Sequence, residues 1–246
     1  MKNFKIVPVI DLLNSNVVHA KKGERKKYKP LKSHLFQTSN PIEIINRIKQ
    51  EFDLYEFYIA DLDSILYREV NFRIIKEILK IPEIEIILDP GIINIKEIIQ
   101  FIELKIKGLI LGLETIKNLE VISKALSILN PDNIILSIDM YKGKILSKVK
   151  EIINKNPLEL IQKINARGVK KIILLDLYRV GQRVGGIPPI YIDILHDFDG
   201  EVLVGGGIRD YEDLLAYKKQ NFSGVLIATA LYDGTISSEQ LSNFQK

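Results

Sequence analysis

The sequence predicts an α/β fold, a (β/α)8 TIM barrel built of two half-barrel repeats. Three observations carry this. Strand-like apolar runs and helical patterns alternate eight times along the chain. The runs are apolar throughout, as strands of a parallel sheet buried on both faces are. The last two end in turns of small residues that open a helix, which is how many such barrels build a phosphate site after strands 7 and 8. A length of 246 residues suits one barrel over 1–246, without a linker or a second domain.

The strand runs fall at Lys5–Ile10, Glu56–Ala60, Glu83–Leu88, Gly108–Leu111, Asn133–Ile138, Lys171–Leu175, Glu201–Val204 and Gly224–Ala228. The helical patterns fall at Pro41–Phe52, Asn71–Lys80, Ile95–Glu103, Ile116–Leu129, Pro157–Ala166, Pro189–His196, Tyr211–Lys219 and Ser237–Phe244. Asn40-Pro41 and Asn156-Pro157 place a capping side chain before a proline at the first helical position. Eight β–α units need a parallel sheet covered by helices, and closing that sheet on itself leaves no open edge.

Composition narrows the function classes. With 46% hydrophobic and 27% charged residues, the chain is neither disordered nor membrane-spanning in character. No apolar run approaches the roughly 18–20 residues of a membrane helix. The stretch Met1–Ile10 starts basic and turns apolar, but Asp11 ends it without a small-residue cleavage site. It reads as strand 1 of a cytoplasmic protein. The absence of cysteine excludes disulfides and thiolate catalysis. His19, His34 and His196 show no ligand spacing, so no metal is expected. The net charge of +4 is concentrated in Lys21–Lys32. That run reads either as a solvated loop or as a mobile loop carrying positive charge to an anionic substrate. It is too short and isolated to mark a nucleic-acid surface.

The chemistry lies where strands end, since barrels place active sites on the C-terminal rim. Strands 7 and 8 end in Val204-Gly-Gly-Gly-Ile-Arg-Asp210 and Ile227-Ala-Thr-Ala-Leu-Tyr-Asp-Gly234. Gly205, Gly206, Gly207, Ala228 and Thr229 let the backbone approach an anion and aim N–H groups at it, with a helix N-terminus behind. Carboxylates stand at the ends of the others: Asp11, Asp61 with Asp63, Asp89, Asp139 and Asp176. Asp63 and Asp89 read as caps or loop hydrogen bonds. Asp11 and Asp139 lie in matching contexts, Val-Ile-Asp-Leu and Ser-Ile-Asp-Met, on strands that face each other across the barrel. Two carboxylates so placed divide acid and base roles if their surroundings separate their pKa values.

The halves also echo each other. Asp61 with its neighbours parallels Asp176, Asp89-Pro-Gly-Ile-Ile-Asn94 parallels Gly205-Gly-Gly-Ile-Arg-Asp210, and Leu109–Thr115 parallels Val225–Leu231. Together with Val7-Pro-Val-Ile-Asp-Leu12, Asn16-Val-Val-His-Ala-Lys-Lys-Gly23, Leu136-Ser-Ile-Asp-Met140 and Asp176-Leu-Tyr-Arg-Val-Gly181, these motifs resemble the HisA/HisF family of histidine biosynthesis over the whole chain, its HisA branch more closely. The resemblance implies a cofactor-independent sugar-phosphate isomerase whose catalytic pair is Asp11 and Asp139. His19, where the family has arginine, Arg179, which matches a family basic residue, and Asp176 complete the expected substrate contacts.

The departures are specific. The resemblance implies a phosphate site after strand 3 as well as strand 7, yet here strand 3 ends in Asp89-Pro90-Gly91. Pro90 has no N–H to offer, and Asp89 would repel a phosphate by roughly 1–4 kcal/mol per unit charge. Tyr178-Arg-Val-Gly-Gln182 replaces the family's Ser-Arg-Asp-Gly-Thr, and Tyr178 is expected to narrow the pocket. Arg183 and Arg209 are expected at the surface. The expected partner is therefore a small metabolite with one phosphate. No nucleic acid or membrane is expected, and self-association stays open. A genuine histidine-pathway isomerase, a cyclase with a glutaminase partner and an inactive phosphate-binding barrel remain as alternatives.

Overall fold

The structure is a computed structural model that describes residues 4–153 and 155–245. Its barrel strands are β1 (Lys5–Leu13), β2 (Glu56–Asp61), β3 (Glu85–Asp89), β4 (Gly108–Gly112), β5 (Ile134–Tyr141), β6 (Lys171–Asp176), β7 (Glu201–Gly205) and β8 (Gly224–Ile227). Each pairs in parallel with the next. β8 then pairs with β1, Lys5 opposite Gly224 through Pro8 opposite Ile227, so the sheet closes as the alternation requires.

Side chains of a strand alternate between its faces, and here that parity separates two cores. Val7, Tyr58, Ala60, Ile87, Ile110, Ile135, Ile173, Leu203 and Leu226 pack together inside the barrel. Their neighbours Ile6, Phe57, Ile59, Ile86, Leu88, Ile134, Leu136, Ile172 and Val225 pack outward against the helices. Parity therefore decides which rim residues enter the mouth. Asp11, Asp89 and Asp139 share the inward count. Asp61 and Asp176 fall on the outward one.

The caps form as their sequences require. The Asn40 side chain accepts from the N–H groups of Ile42 and Glu43, and that of Asn156 accepts from Leu158. Elsewhere turns consume residues that helical periodicity claimed. The helix expected from Ile116 starts at Glu120, because Thr115 and Ile116 are tied back to the Gly112 carbonyl. The pattern at Ile95–Glu103 yields one helical turn, Ile95–Ile98, and a 3-10 turn, Ile99–Phe101. Short helices at Leu62–Tyr67 and Thr229–Tyr232 are additions.

A further addition shapes the mouth. After β1 the chain doubles back as Asn16–His19, antiparallel to Asp11–Leu13, and pairs again through Lys29–Pro30. Between them lies the basic run with a 3-10 turn at Arg25–Lys27. The excursion is fastened to the loop after β6: Lys22 N–H donates to the Val180 carbonyl, and Gly181 passes so close to the Ala20 carbonyl that a Cβ there would lie 2.5 Å from it.

Candidate active site

One cavity fills the barrel mouth. Asp11, Asp89 and Asp139 line it from β1, β3 and β5, and Gly206, Gly207, Ala228 and Thr229 line it from the turns after β7 and β8. Arg25, Tyr28, Tyr58 and Arg183 complete its polar wall. The two sequence-predicted groups, an aspartate pair and a turn of small residues, thus face one space.

The carboxylates share a crowded, desolvated end. Asp139 is buried, and its Oδ1 accepts from the Ser137 hydroxyl at 2.6 Å. Asp89 accepts from the Tyr58 hydroxyl at 2.9 Å and from Gly91 N–H at 3.0 Å. Burial is the main force on all three, since a low-dielectric site disfavours the charged form. It pushes Asp11 up to about 7, with Arg25 opposing and Asp89 assisting. It pushes Asp89 up to about 6 against the hydrogen bonds from Gly91 and Tyr58. Asp139 is raised by burial and then by the nearby Glu114, with the Ser137 bond and Arg25 opposing. Carboxyls held in this range can give and take protons near neutral pH.

Arg25 is the residue sequence reasoning placed least well. It comes from the basic run, yet its guanidinium turns inward to line the cavity and pairs with the Glu114 carboxylate beyond β4. Burial opposes its charge, but Glu114, Asp139 and Asp89 together hold it firmly protonated. The basic run carried a signal, but nothing in it singled out Arg25, and Glu114 carried none.

The opposite end has the reverse polarity. Gly206 and Gly207 lie at φ +86° and +85°, the left-handed region, and open the backbone toward the cavity. Outside the residues that line the cavity, the exposed His19 reaches it only through Thr229, whose hydroxyl lies 3.1 Å from the ring nitrogen Nε2. Partial desolvation lowers the His19 pKa, and the positive charges of Lys21 and Arg183 lower it further. Arg183 is exposed, as expected, and also lines the cavity there, paired with Asp233.

Besides His19, three expected substrate contacts lie elsewhere. Asp176 has outward parity, and its carboxylate accepts from the N–H groups of Lys142, Gly143 and Tyr178. Arg179 donates to the carbonyls of Gly185 and Gly186 at 2.6 and 2.7 Å, bracing the loop behind the glycine turn. Gly205 is still strand, packed against Leu175 and Leu226. Tyr178 does not narrow the mouth. It faces a separate cleft, edge-on to Tyr141 at 5.6 Å and beneath Lys142. Asp63 makes loop hydrogen bonds, accepting from the Asn14 N–H and the Asn71 side-chain amide, while Asp61 is the cap of the helix that follows, and Arg209 is exposed beside Asp210. Among the described residues, no group of three or more His, Asp or Glu could hold a metal ion. Nor is any helix there long and apolar enough to cross a membrane.

Residues 5–237 match the family described as histidine biosynthesis protein. The chain belongs to this family, the HisA/HisF barrels. An uncharacterized protein of Methanocaldococcus jannaschii is 33% identical over 97% of this chain and 98% of its own. A second protein of that organism, named 1-(5-phosphoribosyl)-5-((5-phosphoribosylamino)methylideneamino) imidazole-4-carboxamide isomerase, is 28% identical over 94% of both chains. A protein of the same name from Clostridium kluyveri is 29% identical over 94% of this chain and 95% of its own. The named relatives are isomerases, so the site lies in a HisA-like framework.

Proposed function

We propose that this protein is a cofactor-independent aldose–ketose isomerase whose substrate carries one phosphate. The observation that carries the reading is the joint placement of Asp11, Asp139 and the Gly206–Gly207 turn on a single cavity. The backbone N–H groups of the turn and the start of the helix after β8 hold the phosphate. Asp139, whose burial and neighbour Glu114 favour its protonated form, gives its proton to the ring oxygen, opening the aldose. Asp11, whose charged form Arg25 favours, removes the proton from the adjacent carbon. That electron pair forms the enol. Protonation at the former carbonyl carbon and loss of the hydroxyl proton give the ketose. One hydrogen moves between neighbouring carbons, and no oxidant is consumed. The bound phosphate supplies positioning energy remote from the reacting atoms.

The two relatives from one organism support a separate role. M. jannaschii has a chain named as the imidazole-carboxamide isomerase, and this protein is more similar to a different, uncharacterized one. Asp89-Pro90 at the end of β3 points the same way, because it offers a carboxylate where a second phosphate would need N–H groups.

The test follows absorbance while purified protein meets the substrate of the named isomerases. We expect no enzyme-like turnover there and saturable binding of inorganic phosphate. Efficient turnover would overturn the one-phosphate reading in favour of a histidine-pathway isomerase. Once a substrate is found, Asp11→Asn and Asp139→Asn should each lower kcat by at least about a hundredfold while phosphate affinity stays within twofold. Unchanged kcat in either would remove that residue from the mechanism.

A further inference from the structure

The mouth is polar in the electrostatic sense, and the chain itself occupies one pole. At the β7–β8 end the turn backbone and Arg183 line the cavity, and the positive charges of Lys21 and Arg183 act on the nearby His19. At the β3–β4 end Asp89 and Asp139 line the cavity, Glu114 is joined to it through its ion pair with Arg25, and negative neighbours act on the aspartates. Into that acidic end the excursion after β1 inserts the Arg25 guanidinium, bridging to Glu114 across 89 positions of sequence. Tyr28 and Tyr58 also face this end, and neither adds positive charge.

We propose that Arg25, Asp89 and Glu114 form the specificity element of this cavity, selecting a substrate with phosphate at one end and a protonated amine at the other. The inference rests on the phosphate reading above and deepens it. Glu114 and Asp89 are neighbouring like charges; Tyr58 and Gly91 hydrogen-bond to Asp89, and Arg25 supplies a neutralising cation in the free protein. A substrate ammonium competes for Glu114 and displaces the guanidinium toward solvent, which its long side chain on a solvent-facing excursion permits. A second phosphate meets the Arg25 guanidinium but also two carboxylates, one positive charge against two negative, and is repelled on balance. A hydroxyl can bond to them but leaves their charge uncompensated, so it binds less tightly than the amine.

Isothermal titration of the wild-type protein at pH 7.5 and fixed salt tests this with four probes. They are inorganic phosphate, 4-aminobutyl phosphate, 4-hydroxybutyl phosphate and butane-1,4-diol bisphosphate. The amine is expected to bind at least tenfold more tightly than the bisphosphate and at least threefold more tightly than the hydroxyl probe. Glu114→Gln should shrink the amine preference to within threefold of the bisphosphate while leaving inorganic phosphate within twofold. Arg25→Gln, which removes the competing cation, should tighten the amine probe. Equal binding of the three organic probes, or tightest binding of the bisphosphate, in the folded wild-type protein would overturn the proposal while leaving the phosphate reading intact. If neither inorganic phosphate nor any probe binds, the phosphate reading fails and this inference falls with it.

Discussion

Gly206 shows how closely the backbone is specified at the proposed phosphate end. At φ +86° an added Cβ would lie 2.8 Å from the Asp176 carbonyl, which is backbone and cannot swing away. Gly206→Ala should therefore cost about 1–3 kcal/mol of stability, read as a lower Tm, and weaken phosphate binding at least tenfold. An unchanged phosphate Kd would place the anion elsewhere. That turn was legible because a second turn of small residues follows it after the next strand, in the order and place of a barrel's phosphate site. Asp11 and Asp139 were legible through the likeness of their contexts. Asp89 could have been read the same way: it lies two residues beyond Ile87, whose side chain fills the barrel interior, so alternation turns it inward. Reading it as a loop acid ignored the parity. Asp176 fails by the same rule, one step out of register with Ile173 and Leu175. Tyr178→Ser should leave phosphate and probe affinities within twofold, because the ring faces the cleft beside Tyr141. A larger gain for bulky substrates would return Tyr178 to the mouth.

Between neighbouring elements, the loops after β5 and β6 are held by the carboxylate that the sequence suggested for substrate. Asp176 collects three backbone N–H donors at 3.0–3.1 Å, two from the turn after β5 and one from its own. Asp176→Ala would leave those donors without their charged acceptor, a loss of about 1.5–3 kcal/mol. The expected result is a lower Tm with phosphate affinity within twofold of wild type. Loss of phosphate binding in a protein that still melts cooperatively would restore Asp176 to the binding site. Elements of regular period were legible, including both Asn-Pro helix starts. The excursion after β1 was not. Its strands are four and two residues long, too short for any periodicity. The inward turn of Arg25 depends on Glu114, 89 positions away. Local pattern could show that the run was basic. It could not show which of its cations the fold would pull into the mouth.

For the whole molecule, the acidic end makes stability a function of pH. In the unfolded chain Asp11 titrates near 3.8, and in the folded protein near 7. Between those values the folded state holds a proton that the unfolded state has released, so stability falls as pH rises through the window and levels off above it. Asp89 and Asp139 are raised by the same burial and add in the same direction. A proton-binding difference of this sign is the reverse of ordinary salt-bridged carboxylates, whose stability is lost on acidification. Each unit of upward shift corresponds to about 1.4 kcal/mol, reduced where solvent reaches the rim. Asp11→Asn removes one such group without changing side-chain size. Its unfolding free energy should exceed that of wild type by about 2 kcal/mol at pH 8, and the gain should vanish below pH 4. Denaturant unfolding across pH 4–8 measures both curves. If Asp11→Asn were instead less stable than wild type at pH 8, with equal m-values, the Asp11 carboxylate would be favourably solvated or paired. The proton-holding mouth that separates an acid from a base would then have no basis.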